Sequence, residues 1–77
     1  MPVSSAIVKI NPVNFDRIRN ELNKLKGVEI HKLNNSTVIV VIEAETVEQE
    51  FEIAKKISKV NGVISFNITY HSFEDDA

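Results

Sequence analysis

Hydrophobic residues recur in four short stretches of the chain in patterns typical of β-strands. These stretches span residues 4–10, 28–33, 37–43 and 63–71. The third is apolar on both faces, since Val38, Val40 and Ile42 point one way while Ile39 and Val41 point the other. A strand of this kind is either central in a sheet or keeps its second face for a partner.

Two amphipathic helices are predicted between these strands. The first starts at Asn11-Pro12 or at Asn14, and the second starts at Thr46, which begins a capping-box sequence. Gly27 and Gly62 follow the two patterns and predict the helix ends. The inward stripes are expected to be Phe15, Ile18, Leu22 and Leu25 in the first helix and Val47, Phe51, Ala54 and Ile57, widened by Ile53 and Val60, in the second.

The order of elements is β-α-β-β-α-β, and the polar turn at residues 34–36 predicts a hairpin between the second and third strands. Right-handed crossovers in this order give a four-stranded antiparallel sheet with both helices on one face. We therefore predict an α+β, ferredoxin-like fold. It is expected to form a single domain over residues 1–77 with a short acidic C-terminal tail, and its first and third strands are expected to be central.

The second face of the sheet is expected to be uncovered. Alternation places Ile64, Phe66, Ile68 and Tyr70 of the last strand under the helices. The uncovered face is expected to have an apolar centre of Ile7, Ile39 and Val41. Its small polar neighbours are expected to be Ser5, Ser65, Asn67 and Thr69. Lys9, Glu43 and His71 are expected further out, with Glu45 near one edge. This face is either an exposed sheet surface rich in β-branched residues or a docking surface on which a helix can lie, and the small neighbours favour docking. His71 is either a solvated strand end or a hydrogen-bond partner for a bound peptide.

The composition of the chain argues against several classes of function. The net charge is −2, and no basic face of the kind used by nucleic-acid binders is present. The chain has no cysteine, no recognisable catalytic set, and no apolar run longer than residues 38–42, which is far short of a membrane span. We expect a cytoplasmic protein that is not an enzyme, carries no cofactor, binds no nucleic acid and does not insert into membranes.

Five segments of the chain form a recognisable series. They are Ser4-Ser5-Ala6-Ile7-Val8, Gly27-Val28-Glu29, Ile39-Val40-Val41-Ile42-Glu43-Ala44-Glu45, Gly62-Val63, and Tyr70-His71 before an acidic tail. Together they resemble the NapD family, the assembly chaperones of periplasmic nitrate reductase. The resemblance extends from about residue 3 to residue 75 and depends on the order and spacing of the segments.

The resemblance implies binding of the twin-arginine (Tat) signal peptide of the nitrate reductase catalytic subunit. Binding would hide the export signal until the enzyme has received its molybdenum cofactor. Such a peptide has an arginine pair followed by an apolar stretch, which agrees with an apolar centre next to Glu43 and Glu45. The candidate peptide-binding residues, taken from strand alternation, are Ser5, Ile7, Lys9, Ile39, Val41, Glu43, Glu45, Asn67, Thr69 and His71.

Two other functions remain open from the residues alone. The same strand order occurs in ACT-like domains, which sense small molecules or dimerise, although the loop at residues 11–14 lacks the glycine that such ligand sites use. The uncovered face could also mediate only self-association. The oligomeric state is left open by the sequence, with a monomer as the expectation.

Overall fold

A computed structural model describes residues 2–73 of the chain, without the side chains of residues 32, 33 and 71–73. Its elements follow the predicted order. They are β1 (Pro2–Ile10), a 3₁₀ turn (Pro12–Asn14), α1 (Phe15–Asn23), β2 (Val28–Asn34), β3 (Thr37–Glu43), α2 (Val47–Ser58) and β4 (Val63–Phe73). Neither helix in this part of the chain is both long and apolar enough to span a membrane.

Each helix starts at a polar residue that the sequence singles out. The Asn11 side chain accepts a hydrogen bond from the Val13 amide at 3.1 Å, so it caps the 3₁₀ turn, and α1 continues directly from that turn. At α2, Thr46 Oγ1 accepts a hydrogen bond from the Gln49 amide at 3.1 Å. The Gln49 side chain in turn accepts a hydrogen bond from the Glu45 amide at 3.2 Å, which closes the box one residue earlier than expected.

The four strands form one antiparallel sheet in the order β2-β3-β1-β4, which confirms the predicted fold. On one face, alternate residues of β1 and β3 are fully buried against both helices. The core consists of Ala6, Val8, Ile10, Phe15, Ile18, Leu22, Val38, Val40, Ile42 and Ile57. Because both helices contribute to this single core, the opposite face of the sheet is uncovered, and it is called the open face below.

The inward face of α2 differs from the predicted stripe. Phe51 is 75% exposed and Val47 is also exposed, whereas Glu50 is only 7% exposed. Ile57 is fully buried and Ile53 and Ala54 pack against the core. With these three residues directed inward, the helical period places position 50 toward the sheet and position 51 about 100° away from it. The predicted inward positions of Val47 and Phe51 are therefore wrong.

Glu50 is accommodated in this buried position by a polar residue of β1. The hydroxyl of Ser4, itself 1% exposed, donates a hydrogen bond to Glu50 Oε2 at 2.5 Å. Hydrogen bonds to a charged group are stronger than neutral ones, and a buried charge that loses a donor carries a desolvation penalty. This contact joins the first turns of α2 to the beginning of β1.

We expect Ser4→Ala to lower the free energy of unfolding by about 1–3 kcal/mol, because it removes a donor from a buried carboxylate. Chemical denaturation measures this loss. The matched control is Ser5→Ala, since Ser5 lies on the open face; its effect should be within about 0.5 kcal/mol. Equal effects of the two substitutions would show that the Ser4 hydroxyl has no special role.

The alternation along β4 is interrupted twice. Its register with β1 shifts between the pairs Ser5–Tyr70 and Ala6–Ile68, and again between Lys9–Ser65 and Ile10–Val63. Each shift inserts one extra residue, so a residue beyond it changes face. Ile64 is exposed as a result, and Tyr70, opposite Ser5, belongs to the open face and is 57% exposed. The predicted positions of Ile64 and Tyr70 under the helices are therefore wrong.

Candidate functional site

The centre of the open face is formed by β1 and β3. Their register pairs Ile7 directly with Ile39 and Ser5 with Val41. All four side chains are partly exposed. Since directly opposite side chains on one face of an antiparallel pair are in contact range, Ile7, Ile39 and Val41 form one continuous apolar strip. The structure thus brings together the three residues expected to form the apolar centre.

Small polar residues border this strip along β4. Asn67 lies opposite Ile7 and is exposed. Thr69, at the bulge, donates a hydrogen bond from its hydroxyl to the Ser5 carbonyl oxygen at 3.2 Å. These short side chains leave the strip accessible from the β4 side. At one end of the strip, Lys9 pairs with both Thr37 and Ser65 and is exposed.

The opposite end of the open face is acidic. Glu43, at the end of β3, and Glu45, in the loop that follows, are both exposed. Together with Glu52 of α2 they line a groove of about 490 Å³ on the helix side of this end of the sheet, here called the acidic groove. Lys26 and Lys56 also line it, so acidic side chains outnumber basic ones three to two. The acidic groove is also lined by the apolar residues Leu25, Ala44 and Ile53.

A second, smaller depression of about 210 Å³ connects the acidic groove to the apolar strip. It shares Gly27 and Glu43 with the groove and is also lined by Val41 of the strip and by Glu29 of β2. Glu29 pairs directly with Val41 across the hairpin. The apolar strip therefore continues, at its Glu43 end, into a surface lined by carboxylates.

Comparison with known proteins identifies the family. The family model described as NapD protein matches residues 1–75 of the chain. The chain belongs to the NapD family. The match covers nearly all of the sequence and confirms the resemblance seen in its segments.

A solved structure supports the assignment of this NapD-family chain. The solution structure of the E. coli Tat proofreading chaperone protein NapD superposes with a TM-score of 0.83 at 27% sequence identity. The alignment covers 97% of the present chain and 81% of the E. coli chain. A search of curated protein sequences finds no match. NapD is a chaperone family rather than an enzyme family. The chain is therefore assigned to this family and not to the ACT-like domains.

Of His71 the structure describes the backbone, which pairs with Ser4 of β1. The side chain of His71 lies outside the described part of the structure, so its expected place on the open face stays a prediction.

Three residues of this NapD-family site escaped the sequence analysis. Tyr70 joins the open face through the bulge, which strand alternation does not reveal. Glu52 reaches the acidic groove from α2, and Glu29 reaches the neighbouring depression from β2. The position of Glu29 could have been predicted from the sequence. A hairpin that turns at residues 34–36 pairs Glu29 with Val41, as the structure does. No comparable signal existed for Glu52.

The chemistry of the described side chains is that of a binding surface. Among them, no group of three or more histidine, cysteine, aspartate or glutamate residues is arranged to hold a metal ion. The groups present are an apolar strip, hydroxyl and amide neighbours, a phenol and carboxylates at one end. Such an arrangement can bury an apolar ligand segment and pair with cations beside it.

Proposed function

We propose that this chain binds the Tat signal peptide of the periplasmic nitrate reductase catalytic subunit on its open face. Family membership and the likeness to the E. coli Tat proofreading chaperone support this proposal. The observation that carries it is the junction of an apolar strip with an acidic end, at Val41 and Glu43.

The two parts of the open face match the two parts of such a peptide. Its apolar stretch would lie along Ile7, Ile39 and Val41, where contact with the strip removes apolar surface from water. Its arginine pair would then lie at the Glu43 end, near the carboxylates of the acidic groove. The opposite polarity would place the arginines near Lys9 and is disfavoured by like-charge repulsion.

A helix is the form of peptide that suits this surface. A helix with its side chains is about 10–12 Å across, roughly the width of two to three strands at their usual spacing. Ser5, Asn67 and Thr69 are short enough to let it approach the strip, and the exposed Tyr70 would contact one side. Such a helix would bury its apolar face, as in other helix-in-groove complexes.

Under this proposal the chain acts in the cytoplasm before export. Masking the arginine pair withholds the precursor from the export machinery until its molybdenum cofactor is in place. The chaperone itself then requires no cofactor, no nucleic acid and no insertion into a membrane. Its proposed function requires only reversible binding of the signal peptide.

Calorimetric titration of the chain with a synthetic signal peptide from its partner reductase tests the proposal. A second peptide, with the arginine pair replaced by alanine, serves as the control. We expect saturable binding of the first peptide and strongly reduced binding of the second. No binding by a chain that is folded by circular dichroism would refute the proposed function.

Charge reversal at the acidic end should give a salt-dependent loss of affinity. We expect Glu43→Lys to weaken peptide binding about tenfold at low ionic strength, because it replaces an attraction to arginine with a repulsion. The loss should shrink at high salt, where exposed charges are screened. Titrations at two salt concentrations measure the difference, and Glu45→Lys should behave similarly.

The matched control for charge reversal is Glu48→Lys. Glu48 is exposed on α2 and lines neither the acidic groove nor the adjoining depression. Glu48→Lys changes the net charge by the same amount as Glu43→Lys. It therefore separates an effect of charge at the Glu43 position from an effect of the total charge of the chain. A loss at Glu43 that is the same at both salt concentrations would argue against pairing with the arginines.

A further inference from the structure

A bulge in β4 turns the ring of Tyr70 toward the open face. Ser5 pairs with Tyr70, whereas the next residue of β1 pairs with Ile68, so one residue of β4 is extra. That residue is Thr69, whose hydroxyl donates a hydrogen bond to the Ser5 carbonyl oxygen at 3.2 Å and lies 3.4 Å from the Ser5 hydroxyl oxygen. Bulges recur beside functional sites, where they re-aim a side chain. Here the re-aimed side chain is that of Tyr70, which is 57% exposed.

Tyr70 and Glu43 lie on opposite sides of β1, at the same end of the open face. Tyr70 of β4 pairs with Ser5. Glu43 of β3 pairs with Val3, which is two residues earlier on the same face of β1. Two strand spacings and this offset of two residues put the Cα atoms of Tyr70 and Glu43 about 12 Å apart. Val3 and Ser5 lie between them and are partly exposed. The result is a slot with a phenol ring on one side and a carboxylate on the other, here called the aromatic slot.

The aromatic slot suits the side chain of an arginine better than that of a lysine. A guanidinium is planar, so its face can stack on a ring while its edge donates two parallel hydrogen bonds to a carboxylate. A stacked cation lies within about 6 Å of the ring centre, and its hydrogen bonds to a carboxylate are about 2.8 Å long. With the lengths of the two side chains, these distances close the gap across β1. An ammonium has neither a planar face nor a fixed fork of donors.

The place of Tyr70 along the open face favours contact with a cation over contact with an apolar stretch. Beside Ile7, at the middle of the apolar strip, β4 presents Asn67 and no ring. Tyr70 lies one step further toward Glu43, where the strip gives way to carboxylates. A ring at this boundary lies where a cation attracted by the carboxylates would meet it.

We propose that Tyr70 is a specificity-determining residue, which makes this chain prefer arginine to lysine next to the apolar strip. The inference rests on the proposed function, because the arginine concerned is one of the pair in the signal peptide. One guanidinium of that pair would stack on the Tyr70 ring above Ser5 and donate two hydrogen bonds to Glu43. The β4 bulge then has a role in recognition, since it supplies the ring.

Calorimetric titration with two peptides measures this preference. The probes are the arginine-pair signal peptide and the same peptide with both arginines replaced by lysine. We expect the parent chain to bind the arginine peptide about tenfold more tightly than the lysine peptide. Tyr70→Leu should reduce this ratio to about threefold or less, because leucine keeps an apolar side chain but removes the ring. Tyr70→Phe retains the ring and should restore the ratio.

The matched control is Phe51→Leu. Phe51 is 75% exposed on α2, and α2 packs on the other face of the sheet. This variant therefore loses an exposed ring at a place remote from the aromatic slot, and its affinities for both peptides should equal those of the parent chain. Circular dichroism of Tyr70→Leu should match that of the parent chain, since the Tyr70 side chain is exposed.

The two peptides separate a failure of this inference from a failure of the proposed function. If the parent chain binds the arginine peptide but has no preference over the lysine peptide, or if Tyr70→Leu keeps the full preference, the inference is overturned and the proposed function stands. If the parent chain binds neither peptide, the proposed function is wrong and the role of Tyr70 is lost with it.

Discussion

Replacing Ile39 with glutamate is expected to weaken signal-peptide binding by at least about 100-fold, which corresponds to roughly 2.7 kcal/mol. Ile39 lies at the middle of the apolar strip, directly opposite Ile7. A carboxylate at this position would have to lose its water when an apolar peptide segment covers it, and no cation of the ligand is placed to compensate. Calorimetric titration of the variant measures the loss.

The same substitution should leave the fold intact. Ile39 is partly exposed and belongs to the open face, so the glutamate can reach water in the free protein. We expect a change in unfolding free energy of about 1 kcal/mol or less. Val13→Glu, at an exposed position away from the strip, is the control and should bind normally. An Ile39→Glu variant that binds like the parent chain would place the peptide elsewhere.

Gly27→Ala is expected to cost about 3 kcal/mol of unfolding free energy. Gly27 has φ +85°, a conformation that is unfavourable for a residue with a Cβ atom. A Cβ added there would overlap with the backbone carbonyl oxygen of Glu43. The Gly27 carbonyl also accepts a hydrogen bond from the Glu43 amide at 2.8 Å, so neither backbone segment can move away without breaking it. Chemical denaturation measures the loss.

Gly62→Ala provides the comparison for this prediction. Gly62 also has a positive φ of 104°, but the nearest atom to an added Cβ is Cδ1 of Ile18, at the far end of a flexible side chain. This side chain can move, so the expected cost is smaller, about 1–2 kcal/mol. Equal losses would mean that the positive φ, and not the overlap with Glu43, determines the effect at Gly27.

The fold was predictable because its signals are local and agree with one another. Asn11 and Thr46 cap where their chemistry suggests, and the two glycines end both helix patterns. The inward face of α2 was not predictable in the same way. Two apolar stripes overlap on this helix, and they share Ala54 and Ile57 but differ in whether position 50 or 51 is buried. The buried Glu50 accepts a hydrogen bond from Ser4, which is 46 residues away, and a local pattern does not reveal such a partner.

The open face was predictable only where the strands are regular. Ile7, Ile39 and Val41 lie on β1 and β3, which pair without a register shift, so alternation placed them correctly. β4 has two shifts, and alternation failed there for Ile64 and Tyr70. A bulge is a property of two paired strands, and neither sequence alone shows it. Glu52 of the acidic groove was not predicted, because it lies on α2 and reaches the groove only through the packing of α2 against the sheet.

β1 and β3, which form the centre of the open face, each have a hydrogen-bonded neighbour on both sides. Their amide and carbonyl groups are therefore engaged within the sheet, and a ligand on this face meets side chains only. Under the proposed function, the charges at the Glu43 and Lys9 ends set the direction of a bound helix, but no main-chain hydrogen bond fixes its register along the strip. A surface of this kind recognises ligands in which apolar residues lie next to cations, and the exact order of those residues matters less. If the proposed function holds, we expect one such chaperone to bind several export precursors whose leader sequences differ.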